Sequence, residues 1–238
     1  MSLLERPTFH YLGHSTVRCD LPTGEVVLID PWVAGNPACP SEHHEPERID
    51  AILITHAHSD HMDDAVELAK RYRPKVVVGC YEVCAWLTQQ GVENASGMNI
   101  GGKQDVLGLD VTMVRADHSS GFIVDGQPVY GGVAAGYVVR LPGGFTFYHA
   151  GDTALFGDMR LIAELYHPEL AFLPIGDLFT MDPRQAARAC RYLEIHQVIP
   201  IHWGTFPVLT GTPQMLEQEL LESGVSCEVI VLPPGGSY

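Results

Sequence analysis

The sequence predicts an α/β (α+β) chain in which two mixed sheets carry helices on their outer faces. Three observations lead there. Short runs rich in Val and Ile recur along the 238 residues, bounded by Gly, Pro or Asp, as strands are. Helical patterns lie between some of these runs and not others, so strands come in groups rather than in strict alternation with helices. No low-complexity tract, charge block or linker divides the chain, so residues 1–238 are expected to form one domain.

Taken in order, strands are expected at Val26–Ile29, Ala51–Ile54, Lys75–Val78, Val106–Val114, Gly136–Leu141, Phe145–Tyr148, Leu170–Pro174, Val198–Ile201 and Glu228–Leu232. A first helix is expected after Ser59 or Asp60, either of which can cap it. Met62, Ala65, Val66 and Ala69 give it an apolar stripe, and Lys70 and Arg71 favour its C-terminal end. Further helices are expected near Glu82–Gln90, Asp158–Tyr166, Pro183–Glu194 and Pro213–Ser223, with Pro183 and Pro213 at first helical positions. The segment Gly121–Tyr137 is rich in glycine and turn residues and reads as a hairpin or a mobile loop.

Composition excludes some classes of function. Acidic side chains number 29 against 14 basic ones, a formal charge of −15, which repels nucleic acid and anionic membranes. No apolar run is long enough to cross a bilayer, and the N-terminus lacks the pattern of a signal peptide. Six scattered cysteines suggest free thiols in a reducing, cytoplasmic setting, and the close pair Cys80 and Cys84 is expected to pack rather than to bind metal.

The densest chemistry lies in "ILITHAHSDH", where His56, His58, Asp60 and His61 follow an apolar run and precede a helix. A His-rich solvated loop is the plain alternative. Imidazole and carboxylate donors at a strand-to-helix turn favour a divalent-metal site. Histidines two apart on extended chain point the same way, so His56 and His58 can grip one ion. Asp60 and His61, once the chain turns into helix, can serve a second. Two ions need more donors, and His118 in "VRADHSS", Asp152 in "YHAGDT" and His202 in "IPIHWG" each stand where a strand releases into a loop.

The series "THAHSDH", "ADHSS", "AGDT" and "IPIHWG" resembles the metallo-β-lactamase-fold hydrolases over nearly the whole chain. "YLGHSTV", "LIDPW" and "LPIGDLFTMDPRQA" are similar to the UPF0173 type, relatives of ascorbate-phosphate lactonases and N-acyl-phosphatidylethanolamine phospholipases. The resemblance implies a four-layer αββα sandwich with the site at one edge, between the sheets. It implies one metal held by His56, His58 and His118, a second held by Asp60, His61 and His202, and Asp152 bridging them. Zinc suits the histidines, while manganese, iron or nickel also fit a mixed N/O set. Two such ions can share a water, lower its pKa and polarise a carbonyl or phosphoryl oxygen. Asp60 then orients the water and passes its proton to the leaving group, cleaving an ester, lactone, amide or phosphodiester of a small molecule. The resemblance also implies a homo-oligomer.

Around this set, His14 is a candidate to bind substrate or support a ligand, with a structural role as the alternative. Asp30 is expected to accept a hydrogen bond from a ligand histidine. Asp177 could line the pocket, and Trp203 and Phe206 could wall it beside His202. His149 is expected in the core, and His43 and His44 in a solvated loop. Two other classes stay open: a di-iron redox protein, whose motif usually carries Glu where this chain has His58, and a non-catalytic metal-binding module.

Overall fold

The computed structural model describes residues 6–238, so the reading of the first residues as free of a leader falls partly outside the described residues. Fifteen strands are present: β1 (Thr8–Tyr11), β2 (Val17–Asp20), β3 (Val26–Ile29), β4 (Ala51–Leu53), β5 (Val76–Cys80), β6 (Ala95–Met98), β7 (Lys103–Val106), β8 (Leu109–Arg115), β9 (Gly121–Val124), β10 (Gln127–Tyr130), β11 (Ala135–Arg140), β12 (Thr146–His149), β13 (Leu170–Pro174), β14 (Gln197–Ile201) and β15 (Glu228–Val229). Six α-helices accompany them, both counts being of the described residues: α1 (Ser59–Met62), α2 (Ala65–Tyr72), α3 (Tyr81–Gln89), α4 (Met159–Tyr166), α5 (Pro183–Leu193) and α6 (Pro213–Ser223).

One sheet runs β1-β2-β3-β4-β5-β6 and the other β15-β14-β13-β12-β11-β8-β7, while β9 and β10 pair only with each other. Both large sheets are mixed. β3 to β6 are parallel, as are β12 to β15, and the remaining pairs are antiparallel. This is the α/β architecture of two mixed sheets that the sequence predicts.

Side-chain alternation along the second sheet explains why its strands read as unbroken apolar runs. On β13, Leu170 and Phe172 join the core between the sheets, whereas Ala171 and Leu173 join a second core beneath α4, α5 and α6. On β14, Ile199 and Ile201 face the first core and Val198 the second. Strands buried on both faces need no polar alternation. Phe9 of β1 reaches across the sandwich to Phe147 and Phe172, with ring centroids 4.9 and 5.1 Å apart in edge-on contact.

Several elements differ from expectation. The run at 106–114 is two strands joined at Leu107 and Gly108, whose φ values of +59° and +82° make the tight turn of a hairpin. A leucine in that left-handed position hides the turn. The first helix breaks after Met62, because the Asp64 carboxylate accepts hydrogen bonds from the backbone of Val33 (2.6 Å) and Ala34 (2.9 Å). Its buried face uses Leu68 where the stripe placed Val66, and its N-cap is His58. β1, β2 and β6 were not expected. They are four residues each and end in polar or glycine-containing loops. The segment 121–137 holds the β9–β10 hairpin, turned at Asp125 and Gly126, which joins neither large sheet.

Candidate metal centre

Six loops converge on one edge of the sandwich. His14 lies between β1 and β2, Asp30 follows β3, and His56 follows β4. His118 follows β8, Asp152 follows β12, and His202 follows β14. Such carboxyl ends of strands are where α/β sheets gather ligands. Three of these residues, His14, Asp30 and His202, hold left-handed backbone with φ of 51° to 55°. Each such residue costs on the order of 1–3 kcal/mol and persists only where its surroundings fix it. The fixing is visible: the His202 amide donates to the His14 carbonyl at 2.6 Å, and Asp30 is hydrogen-bonded as described below.

The donors fall into interlocking groups. His56, His58 and His118 present nitrogen atoms within 4.8 Å of one another, and so do the donor atoms of His14, Asp60, His61 and His202. His56, His61 and Asp152 form a third group of the same compactness that links the other two. His56 Nε2 lies 2.9 Å from His58 Nδ1. Asp152 Oδ2 stands 3.0 Å from His202 Nε2, 3.3 Å from His61 Nε2 and 3.7 Å from His118 Nε2, so this one carboxylate reaches both sides of the cluster.

The protonation pattern suits a cation. Burial drives His56 well below the usual histidine range, helped by the neighbouring His61. Burial also disfavours a charge on His61, but the Asp152 and Asp30 carboxylates on either side outweigh it and raise its pKa well above 6.5. Burial works against ionisation of Asp152 as well, yet the charges of His202 and His61 hold its carboxyl well below the usual range. Three of the six buried side-chain atoms without a hydrogen-bond partner among the described residues are His61 Nε2, Asp152 Oδ1 and His202 Nδ1. An unpartnered buried polar atom costs about 1–3 kcal/mol. Of the three, His61 Nε2 is turned toward Asp152 Oδ2, which His202 Nε2 and His118 Nε2 also face, so an ion held there would relieve that cost at His61, and the N and O donors present fit the metal group that the sequence implies.

Around the donors sits a supporting layer. Asp30, fully buried, accepts from Thr55 N, Thr55 Oγ1 and His61 Nδ1, each at 2.8 Å. The hydrogen bond expected of Asp30 is thus made to His61, a histidine of the cluster, and it leaves His61 Nε2 to face the other donors. His14 is fully buried, with Nδ1 3.0 Å from Thr205 Oγ1 and Nε2 3.1 Å from Asp60 Oδ2. Both of its nitrogens are engaged, which leaves the supporting role open to it rather than direct contact with substrate.

Other candidates sort differently. His149 is buried, stacks on Phe172 and bonds the Ser15 carbonyl at 3.1 Å, as a core residue does. His43 and His44 are half-buried outside the cluster. Asp177 is exposed and shapes its own loop, accepting from Leu178 N and Thr210. Trp203 donates to the Pro200 carbonyl and packs on the second core, whereas Phe206 stands beside His14 and Trp32 at centroid distances of 5.7 and 6.1 Å. Sequence reasoning missed Thr205, Thr55 and Ser120. The Ser120 hydroxyl accepts from Ala57 N at 3.1 Å and donates to the Gly131 carbonyl at 3.0 Å, clamping the base of the β9–β10 hairpin to the His56–His58 loop. Only Thr55, flanking the first histidine, carried a local signal. All six cysteines are free, and Cys80 and Cys84 are both buried.

Comparison with known proteins agrees with this geometry. The model of the β-lactamase superfamily domain matches residues 25–203. A UPF0173 metal-dependent hydrolase of Koribacter versatilis is 51% identical over 229 residues, covering 96% of each chain. The chain therefore belongs to the UPF0173 metal-dependent hydrolases of the β-lactamase superfamily. Among solved structures, Igni18, a metallo hydrolase from the archaeon Ignicoccus hospitalis, is 35% identical with a TM-score of 0.85, covering 98% of this chain and 97% of its own. The diiron β-hydroxylase CmlA from Streptomyces venezuelae shares the fold at a TM-score of 0.70 and 18% identity, over 95% of this chain and 53% of its own. No helix among the described residues is long and apolar enough to cross a membrane.

Proposed function

We propose that the chain hydrolyses an ester, lactone, amide or phosphodiester bond of a small molecule at a binuclear divalent-metal site. His56, His58 and His118 hold one ion, Asp60, His61 and His202 hold the other, and Asp152 serves both. The observation that carries this reading is the interlocking of the compact donor groups through Asp152, His56 and His61, more donors than one ion needs. Zinc is the expected metal, with manganese, iron or nickel as further occupants of a mixed N/O set. When bound, such ions supply Lewis acidity and an acidified water.

The chain's own residues handle the proton. Burial opposes ionisation of Asp60, but the hydrogen bond from His14 and the nearby His61 prevail and hold its carboxyl well below the usual range. Asp60 is thus a carboxylate at neutral pH, with Oδ2 engaged by His14 and Oδ1 left to receive the proton of the attacking water and return it to the leaving group. Burial, only partly offset by the Asp60 hydrogen bond, pushes His14 down to about 4. A neutral His14 facing a carboxylate must carry its hydrogen on Nε2, so Nδ1 accepts from the Thr205 hydroxyl. Asp60 thus sets the tautomer, and Thr205, by donating to Nδ1, holds the ring in the orientation that lets His14 direct Asp60. Thr205→Val should lower kcat about tenfold with KM little changed, and Thr205→Ser should restore it. Equal kinetics for Thr205→Val and the native protein would remove this role.

The reading extends to the whole chain, 1–238, as one hydrolase domain, supported by donors drawn from both sheets. It places the protein in the cytoplasm as a homo-oligomer, a placement in keeping with its free cysteines.

Metal affinity should depend on pH in a defined direction. The raised pKa of His61 means that its proton stabilises the metal-free fold fully below 6.5, and that this contribution fades as pH rises through the raised value. An ion must displace that proton, so affinity should climb by up to about tenfold per pH unit. Chelator competition at several pH values measures this, and a flat profile would contradict it. The function itself is tested by turnover against ester, lactone, amide and phosphodiester panels beside a visible spectrum. Hydrolysis by a colourless zinc-loaded protein supports it. Iron-dependent oxygen chemistry without hydrolysis overturns it.

A further inference from the structure

A groove of about 730 Å³ opens beside the donor cluster, and His58 and Asp60 both line it. Its other lining comes from α1 and Asp63 after it, Trp86 of α3, the β9–β10 hairpin, and the loops at Ala57 and at Ser119 and Ser120. Trp86 of α3 stacks on Phe122 of β9, with centroids 4.8 Å apart and planes 24° from parallel. Along the hairpin, Ile123, Val129 and Tyr130 stand 74%, 46% and 68% exposed, an apolar surface that no other part of the described residues covers. The hairpin is not free to drift from the donors. Ser120 ties its base to the His56–His58 loop, and a Cβ at Gly131 would come within 2.4 Å of the Ala57 Cβ, so only glycine allows this approach.

The charge of the groove is equally informative. The acidic residues lining it are Asp60 and Asp63, and neither lysine nor arginine lines it. Away from the donor cluster, where His58 and Asp60 would adjoin the proposed ions, an anionic group on the arm would meet no basic side chain, in a chain at −15 overall. An uncharged apolar group would meet aromatic and aliphatic side chains and release water from them. A second copy of the chain could also cover the hairpin, but that occupant leaves unexplained why the groove is continuous with His58 and Asp60.

We propose that this groove is the substrate's side-arm subsite, so that the bond cleaved carries an uncharged alkyl or aryl arm that lies along Trp86, Phe122, Ile123 and Val129. The assignment rests on the hydrolytic reading above and narrows its substrate class. It makes Trp86, Ile123 and Val129 specificity-determining residues.

The test uses zinc-loaded protein and straight-chain alkyl hydroxamates, which place a metal-binding head at the cluster and a chain of chosen length in the groove. Binding is read by calorimetry, independently of turnover. Affinity should rise about threefold per added methylene until the groove is filled. Trp86→Ala, and separately the double change Ile123→Ser with Val129→Ser on the exposed hairpin, should flatten that dependence while the shortest hydroxamate binds as before. The hairpin variant keeps the test open if loss of the Trp86–Phe122 stack disturbs folding. A hydroxamate ending in a carboxylate should bind at least tenfold more weakly than its uncharged homologue of equal length. Affinity independent of chain length in the native protein, or equal binding of the carboxylate-ended chain, would overturn the subsite. So would a dimer dissolved by the hairpin variant together with length-independent affinity, which would assign the hairpin to subunit contact. Length-dependent binding without hydrolysis of any matching ester would uphold the subsite and remove the hydrolytic reading.

Discussion

Asp60→Asn is expected to lower turnover on the order of a hundredfold or more, the usual scale for a positioned acid–base group, while the protein stays folded. Asparagine keeps the size of the side chain, and its carbonyl oxygen can still accept the His14 Nε2 hydrogen now directed at Asp60 from 3.1 Å. What it loses is the ability to take a proton. In the proposed site the change also weakens one metal donor, so metal content has to be measured beside rate. Loss of rate at full occupancy isolates proton transfer. Full activity of Asp60→Asn on a verified substrate would show that another group moves the proton.

Asp152→Ala should be more damaging, because Asp152 is the one carboxylate within 3.7 Å of His61, His118 and His202 together. Asp152 is 2% exposed, so no solvent substitutes for the missing charge. Removing it takes the carboxylate away from the buried His61 and His202 Nε2 atoms, leaving His61 only Asp30 on its other side. Loss of a supporting contact to a metal ligand typically costs 10–100-fold in affinity, and loss of a shared donor should exceed that. Activity is expected to fall on the order of a thousandfold or more, with less than half of the bound metal retained. Activity within tenfold of the native protein would place the shared carboxylate outside the chemistry.

The site was more legible in the sequence than the framework that holds it. Donors at strand ends announce themselves through residue type and local context: His118, Asp152 and His202 each follow an apolar strand, with Ser119, Thr153 and, one residue further on, Gly204 marking the release into a turn. Even Asp30 could be read as an orienting carboxylate from its place after "VVLI". Partners made by folding have no such signature. Thr205 meets His14 across 191 residues, and Ser120 meets Ala57 across 63, with nothing in either neighbourhood to mark the pairing. Phe206 and Trp203 looked interchangeable as walls, yet the turn after His202 sends the indole to the second core and the phenyl ring to His14. The misread elements share a cause: a tertiary contact overrides local pattern. Asp64 breaks a helix by binding the backbone at 33 and 34, and Leu107 takes a left-handed turn between two strands that the sequence presents as one.

The most direct test of the binuclear reading is elemental analysis of the full chain purified without chelators and then supplemented with zinc. The proposed two-ion site predicts a value approaching two divalent ions per chain, the second lost before the first on mild chelation and regained on supplementation. A single tightly held ion, with no further uptake at any zinc concentration that leaves the protein folded, would contradict it.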